Sequence, residues 1–409
     1  MPARSLSFLY INTFLALIGG NMFNYGLIIL STDTANSDGF TGLVNFTNYV
    51  PTLFLSFYAG TILDRYSRLA VVYIFQSFFI ATSLSLATML AFGMISESTK
   101  WILPMVALVN GSALAFLVPG RFALIANIVP ASSVPRATMV LNILVIVGFG
   151  IAPVFVGLIK QYHDWHVLFY GIAAVLIVAY VTLFPIRTSY TTEYVGGASA
   201  YRRFHDGLTF VRSSRLIQEL LGFTFVGLFV VGPIFVVLPR YARDLMGMDE
   251  QGRGVLLATL GIGLFVGGML AHAMGRRARH HGRWIMISCF AIGAILSVTG
   301  FVREPYPMAA LLITAGVFGG IVSTLIPSLL QGAAPDEIRG RVLSFYTLAF
   351  QATPAISGFT IGLVSDRFGL ENALWIAGAF IAAAALLGML LSPELRGYTN
   401  ERHRAAPAN

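Results

Sequence analysis

Cysteine is almost absent from this sequence: Cys289 is the only one. That excludes a disulfide framework and a cysteine-rich metal site. Charge is scarce as well. Charged residues make up 11% of the 409 positions, against about 25% in an ordinary soluble domain. Lysine is reduced to Lys100 and Lys160, an arginine bias that suits a GC-rich genome. No polar stretch is long enough to form a soluble domain. What fills the chain instead is apolar sequence, 56% hydrophobic overall, in runs of about 20 residues. That is the length that crosses a bilayer core as a helix.

Twelve such runs are expected to span the membrane, at 8–30, 42–62, 70–94, 102–127, 137–159, 166–186, 216–238, 254–274, 284–302, 307–330, 342–364 and 371–392. The first is too long for a signal-peptide core and is followed by no small-residue cleavage site, so it is read as a retained helix. The fold class is therefore an all-α membrane protein. With the N-terminus placed inside, inner segments hold 18 basic residues and outer loops hold 7. The bias satisfies the positive-inside rule for twelve spans with both termini cytoplasmic. The net charge of +8 thus points to cytoplasmic loops and not to nucleic acid.

The longest connection, 187–213, lies between the sixth and seventh spans. Gly196-Gly197-Ala198-Ser199 gives it a flexible stretch. Tyr201 to Val211 is basic and amphipathic, as suits a short helix at the membrane surface. The expected organisation is a six-helix bundle over 1–186, a linker over 187–213, a second six-helix bundle over 214–395 and a tail over 396–409. The two halves resemble each other. A shift of 208 brings Gly60 onto Gly268, Arg68 onto Arg276 and Pro119 onto Pro327. A shift of 205 then brings Pro130 onto Pro335, Arg136 onto Arg341, Ile151 onto Ile356 and Gly157 onto Gly362. An internal duplication of six helices is a transporter architecture with its substrate site near the bilayer midplane.

The loop after the second span reads Gly60-Thr61-Ile62-Leu63-Asp64-Arg65-Tyr66-Ser67-Arg68. It resembles the signature of the major facilitator superfamily at that loop. A weaker basic counterpart, Gly275-Arg276-Arg277-Ala278-Arg279, occupies the matching loop of the second half. Further stretches are similar to the bacterial exporter branch of that superfamily, which includes the enterobactin exporter and the macrolide and tetracycline efflux proteins. They are Phe116-Leu117-Val118-Pro119, Asn127-Ile128-Val129-Pro130, Gly207 to Arg212, Pro335 to Val342, and Gly362 with Asp366-Arg367-Phe368-Gly369. The resemblance implies two six-helix bundles of the major facilitator fold, export of small amphipathic compounds, and protons as the coupling ion. Lysophospholipid transporters are similar too, which keeps a lipid substrate open.

The loop motif also has a physical reading. Asp64 ends the second span on the inside, where the eleventh span begins near Arg339 and Arg341. A carboxylate beside a helix N-terminus gains about 0.3–1 kcal/mol, and an arginine partner adds to it. Gly60, Asp64, Arg65, Arg68, Arg339 and Arg341 are therefore the expected gate, opposed by the plainer reading of a charged turn that only fixes topology.

Polar residues within the spans are the candidate substrate contacts: Asn21, Asn24, Tyr25, Asn110, Arg121, Asn142, Tyr346 and Gln351. Asn21 and Asn24 share a helix face. For any one amide, an interhelical hydrogen bond worth about 0.6 kcal/mol is an equal explanation. Arg121 either snorkels to the inner interface or attracts an anionic group on the substrate. No acidic residue falls near the middle of a span, and Glu219, in the first turn of the seventh, comes closest. The embedded carboxylate of a proton-driven exporter is thus not found. Gly263 and Gly267 in the eighth span are read as packing positions.

The sequence therefore predicts a secondary transporter in a prokaryotic inner membrane, exporting a siderophore-like or drug-like molecule. A lipid flippase on the same fold and a non-transporting sensor are the alternatives. No serine triad, midmembrane histidine–carboxylate cluster or metal spacing supports an enzyme, a cofactor or a metal.

Overall fold

The structure, a computed structural model, describes residues 2–188, 200–277 and 280–398. Within these the chain is helical, as an apolar solvent requires of a backbone that must satisfy its own hydrogen bonds. Six long helices come first: α1 (Pro2–Ala35), α2 (Asp38–Arg65), α3 (Arg68–Ala91), α4 (Ile102–Ile128), α5 (Val134–Tyr162) and α6 (Trp165–Val181). A linker helix, Ala200–Ser213, follows. Then comes α7, residues 215–244, in three pieces: Arg215–Leu228, Val231–Val236 and Leu238–Asp244. The chain continues through α8 (Glu250–Arg277), α9 (His281–Thr299), α10 (Pro305–Ala333), α11 (Asp336–Phe368) and α12 (Leu370–Leu391).

Each of the twelve predicted spans falls on one of these elements. Ten of the helices are long and apolar enough to cross a bilayer by length and composition. The other two miss for visible reasons. Trp165–Val181 is short, and α2 carries Asn45, Asn48 and Thr52 on a buried face, which lowers its hydropathy. The helices start and stop at ordinary signals. Ser37 caps α2 by accepting from the Phe40 amide at 3.1 Å. Gly369, at φ 89°, makes the left-handed break between α11 and α12.

The chain divides into two compact units. The first comprises residues 1–197 with 247–258, so the opening turns of α8 group with it. The second comprises 198–246 with 259–409. In the first unit the Phe23 ring of α1 meets Phe79 and Phe169 edge-on, at 5.3 Å and 5.4 Å between centroids. In the second unit Gly263 and Gly267 of α8 lie against the α10 backbone at Ile313, Gly316 and Val317, the packing expected of them.

The amphipathic stretch after Gly196–Ser199 is helical from Ala200 and packs on α11. A Cβ at Gly207 would meet Phe345 at 3.0 Å and Arg341 at 3.1 Å. Gln218 of α7 closes this helix by donating to the Val211 and Arg212 carbonyls at 3.0 and 2.7 Å. Glu219, the nearest approach to an embedded acid in the sequence, is tied up structurally. It accepts from Arg215 Nε at 3.2 Å and from the Leu395 amide at 2.7 Å. Outside the spans, Arg303 donates to Glu371 at 2.6 Å, a bond that holds the guanidinium still more firmly protonated.

Candidate functional site: a buried polar core in the first unit

The sequence of α4 is apolar apart from Asn110, Arg121, Asn127 near its end and the small residues Gly111, Ser112 and Gly120, and Asn110 and Arg121 are both buried. Gly111 explains the first. With no side chain, it lets α4 approach the α2 backbone so closely that a Cβ there would collide with the Asn48 carbonyl. That contact brings Asn110 beside Asn48. Asn110 Nδ2 donates to Asn48 Oδ1 and to Asn24 Oδ1, both at 2.9 Å, and Asn48 Nδ2 donates to Asn24 Oδ1 at 3.3 Å. Three asparagines from α1, α2 and α4 thus form one amide cluster. Asn48 and Asn110 are 5% and 0% exposed.

Arg121 lies about 16 Å along α4 from Asn110, by helical rise. It is 4% exposed, so it does not snorkel. Its Nε donates to Asn12 Oδ1 at 3.3 Å and its Nη2 to Gln76 Oε1 at 3.1 Å. The two amides are held from behind. Asn12 Nδ2 donates to the Ala179 carbonyl at 2.6 Å, and Gln76 Nε2 donates to the Leu176 carbonyl at 3.1 Å. Ala179 is in the last turn of α6, where carbonyls have no partner within the helix. Both amide oxygens therefore face the guanidinium. Among the described residues Arg121 pairs with no carboxylate, so the unit carries an uncompensated buried positive charge.

Other predicted contacts are placed differently. Asn21, half-buried one turn before Asn24, is not brought into the cluster. Tyr25 is 3% exposed and lies within electrostatic reach of Arg253, Glu250 and Asp33. Tyr346 and Gln351 are half-buried on α11 in the second unit, where the Tyr346 ring stands 6.1 Å from that of Phe350. The side chains of Asp64 and Asn142 lie outside the described residues, as do those of the whole basic loop from Gly275 to Arg279.

The loop motif is anchored through its last arginine. Arg68 Nη1 donates to the Ala123 carbonyl at 2.8 Å and to Asn127 Oδ1 at 2.5 Å, which ties the loop to the end of α4. Gly60 borders open space and Arg65 is exposed. In the second unit, Arg339 Nε donates to the Gln331 carbonyl at 2.9 Å, at the end of α10. Arg341 is half-buried beside Gly207. Arg68→Lys keeps the charge but loses the rigid planar guanidinium that aims Nη1 at both acceptors. It is expected to cost about 1.5–3 kcal/mol, measured as a lower unfolding temperature of the purified protein than for Arg65→Lys.

Three residues of this core, Asn12, Asn48 and Gln76, do not stand out in the sequence, nor does the buried Asp38 of the same unit. Asp38 lies between the first two expected spans, 8–30 and 42–62. It opens α2 and is 0% exposed. The available signal was a polar stripe on α2 at intervals of three and four, Asp38, Thr41, Asn45, Asn48 and Thr52. Among the described residues no group of histidine, cysteine and carboxylate side chains is arranged to hold a metal.

Ten helices long and apolar enough to cross a bilayer, with polar residues buried among them, define a multi-pass membrane protein. The chain belongs to the Major Facilitator Superfamily, which it matches over residues 9–358 and 273–406. That is a family of transporters and not of enzymes. Among its relatives is the multi-drug resistance efflux pump PmrA homolog of Lactococcus lactis, 30% identical over 175 residues. That match covers 40% of this chain and 42% of the relative. Multidrug resistance protein MdtG of Serratia proteamaculans is 25% identical over 62% of each chain. These matches span less than two thirds of either relative. MdtG of Salmonella typhi is 22% identical over 85% of this chain and 83% of its own. Among solved structures, the nucleoside transporter NupG superposes with a TM-score of 0.78 at 13% identity, covering 95% of this chain and 99% of that one. A bacterial homolog of the human lysosomal transporter Spinster gives 0.75 at 15% identity, covering 100% and 99%. These likenesses show the fold.

Proposed function

We propose that this chain is a secondary active transporter that exports a small amphipathic molecule, siderophore-like or drug-like, by alternating access. The relative named as a multi-drug resistance efflux pump, and those named as multidrug resistance proteins, support export. The observation that carries the substrate class is Arg121, a buried cation whose described partners are neutral amides. A charge in such a place is costly, and it favours molecules that bring an anionic or zwitterionic group over lipophilic cations. Asn24, Asn48 and Asn110 supply uncharged hydrogen bonding deeper in the same unit. The loop from Gly60 to Arg68, with Arg339 and Arg341, serves as the gate. The bias of 18 basic residues against 7 supports an inner-membrane orientation with both termini cytoplasmic.

The reading is tested in proteoliposomes loaded in turn with an anionic siderophore, a macrolide, a lysolipid and a cationic dye. Efflux of the siderophore ahead of the dye, accelerated by an imposed pH gradient, is the expected result. Movement of the lysolipid alone, indifferent to the gradient, would turn the assignment to a flippase.

A further inference from the structure

The first turns of α8, which group with the first unit, meet α5 backbone to backbone. A Cβ at Gly157 would fall on the Glu250 carbonyl, and one at Gly254 on the Pro153 carbonyl. Two glycines thus let the helices close on each other, and Arg253 is caught in the contact at 3% exposure. Its Nη2 pairs with Glu250 Oε1. Its Nε and Nη1 are fully buried and find no acceptor among the described residues. An arginine does not shed its charge, and open donors on a buried charge are costly.

The start of the helix does not account for this guanidinium. Asp249 caps α8 by accepting from the Gly252 amide at 2.8 Å, and the Gln251 amide donates to Gln161 Oε1 at 3.5 Å. These bonds use opening amides of the helix and leave the arginine as the open donor. Its one partner is removable. The Glu250 side chain is 27% exposed against 3% for Arg253, so the carboxylate can turn to solvent while the guanidinium stays. An open cleft adjoins this start of α8. It is formed at the turn between α5 and α6 by Lys160, Gln161, His163, Asp164 and His166 with their neighbours, and Gln161 belongs to both.

We propose that Arg253 is an anion-binding site at the contact of α5 and α8, where the carboxylate of an amphipathic organic anion displaces Glu250 from the guanidinium. The surrounding charge is mixed. Lys160 adds a cation, while Asp164 and Asp33 repel a free anion; Asp33, like Glu250 and Arg253, lies within electrostatic reach of Tyr25. Charge alone therefore does not draw a small inorganic anion here. An organic anion adds apolar burial, and the neighbouring residues suit it: Tyr25, Val156, Leu256 and Leu257 are at most 3% exposed. The place of this site in export, as the station from which an anion leaves, rests on the transport reading; the binding itself does not.

Binding of naphthoate to the full-length protein in lipid nanodiscs tests the site, with inorganic phosphate as the second probe. Arg121→Met is present throughout to remove the other buried cation, and empty nanodiscs correct for partition into lipid. Calorimetric titration should show naphthoate bound in preference to phosphate. Glu250→Gln removes the competing carboxylate and should tighten naphthoate at least about fivefold, whereas loss of a merely structural ion pair would not tighten it. Arg253→Gln added to Glu250→Gln should abolish binding, and Arg253→Lys should restore part of it. An unchanged affinity in Glu250→Gln, or binding that survives Arg253→Gln, would overturn the site. Equal binding of phosphate would overturn the organic anion as its ligand. If naphthoate binds through Arg253 but no anion is exported, the transport reading fails and the site stands. If Arg253→Gln loses naphthoate but exports the anionic siderophore at the parent rate, the role in release is overturned.

Discussion

Gln76→Leu is expected to destabilise the protein more than Arg121→Met does, although Arg121 is the larger and charged residue. Gln76 accepts from the guanidinium and donates to the Leu176 carbonyl. Its loss leaves a buried cation short of a partner, and hydrogen bonds to charged groups contribute about 1.5–3 kcal/mol. Arg121→Met removes the charge itself. The Asn12 and Gln76 amides already lie 3.4 Å apart and keep their α6 carbonyls, so that variant should stay within about 1.5 kcal/mol of the parent. The double variant separates the effects, because a residue that exists to satisfy Arg121 has little left to do once Arg121 is gone. Thermal unfolding of the four proteins in one detergent should therefore show Arg121→Met recovering most of the stability that Gln76→Leu loses. Additive losses would mean that the two residues act independently.

Gly111→Ala should be severe for so small a change. The new methyl group falls on the Asn48 carbonyl, and backbone cannot be pushed aside as a side-chain tip can. α2 and α4 must separate, which costs about 1–3 kcal/mol as overpacking and breaks the bonds from Asn110 to Asn24 and Asn48. Gly171 is the control, since a Cβ there meets nothing within 4 Å. Gly171→Ala should be neutral or gain up to about 1 kcal/mol from helix propensity. Unfolding temperatures of the two variants make the comparison, and equal values would mean that α2 and α4 do not meet at Gly111.

The same two clusters mark where the sequence is legible and where it is not. Apolar runs set the number and order of the helices, because a backbone in lipid has few other options. Tyr201 to Val211 announces its helix by periodicity, and Gly263 and Gly267 announce a close contact by their size. Asn24, Asn110 and Arg121 stand out as polar residues in apolar surroundings. Their partners do not, because Gln76 and Asn12 are 45 and 109 positions from Arg121 and nothing local links them. Asp38 escapes for another reason. The apolar run of the second span begins at about residue 42, whereas the helix begins a turn earlier. Its start is covered from a distant segment, where Trp101 meets the Phe40 ring at 5.5 Å.

Charge selectivity is the most direct test of the claim that a buried, uncompensated guanidinium defines the substrate class. Efflux of an anionic siderophore and of a cationic dye would be measured from the same proteoliposomes, with the parent protein and with Arg121→Met. The account predicts that the anion-to-cation ratio falls by at least about tenfold in the variant, equivalent to ~1.4 kcal/mol, while the folded protein is retained in the membrane. An unchanged ratio with both compounds still exported would contradict it and leave Arg121 as a structural clasp between α1, α3 and α4.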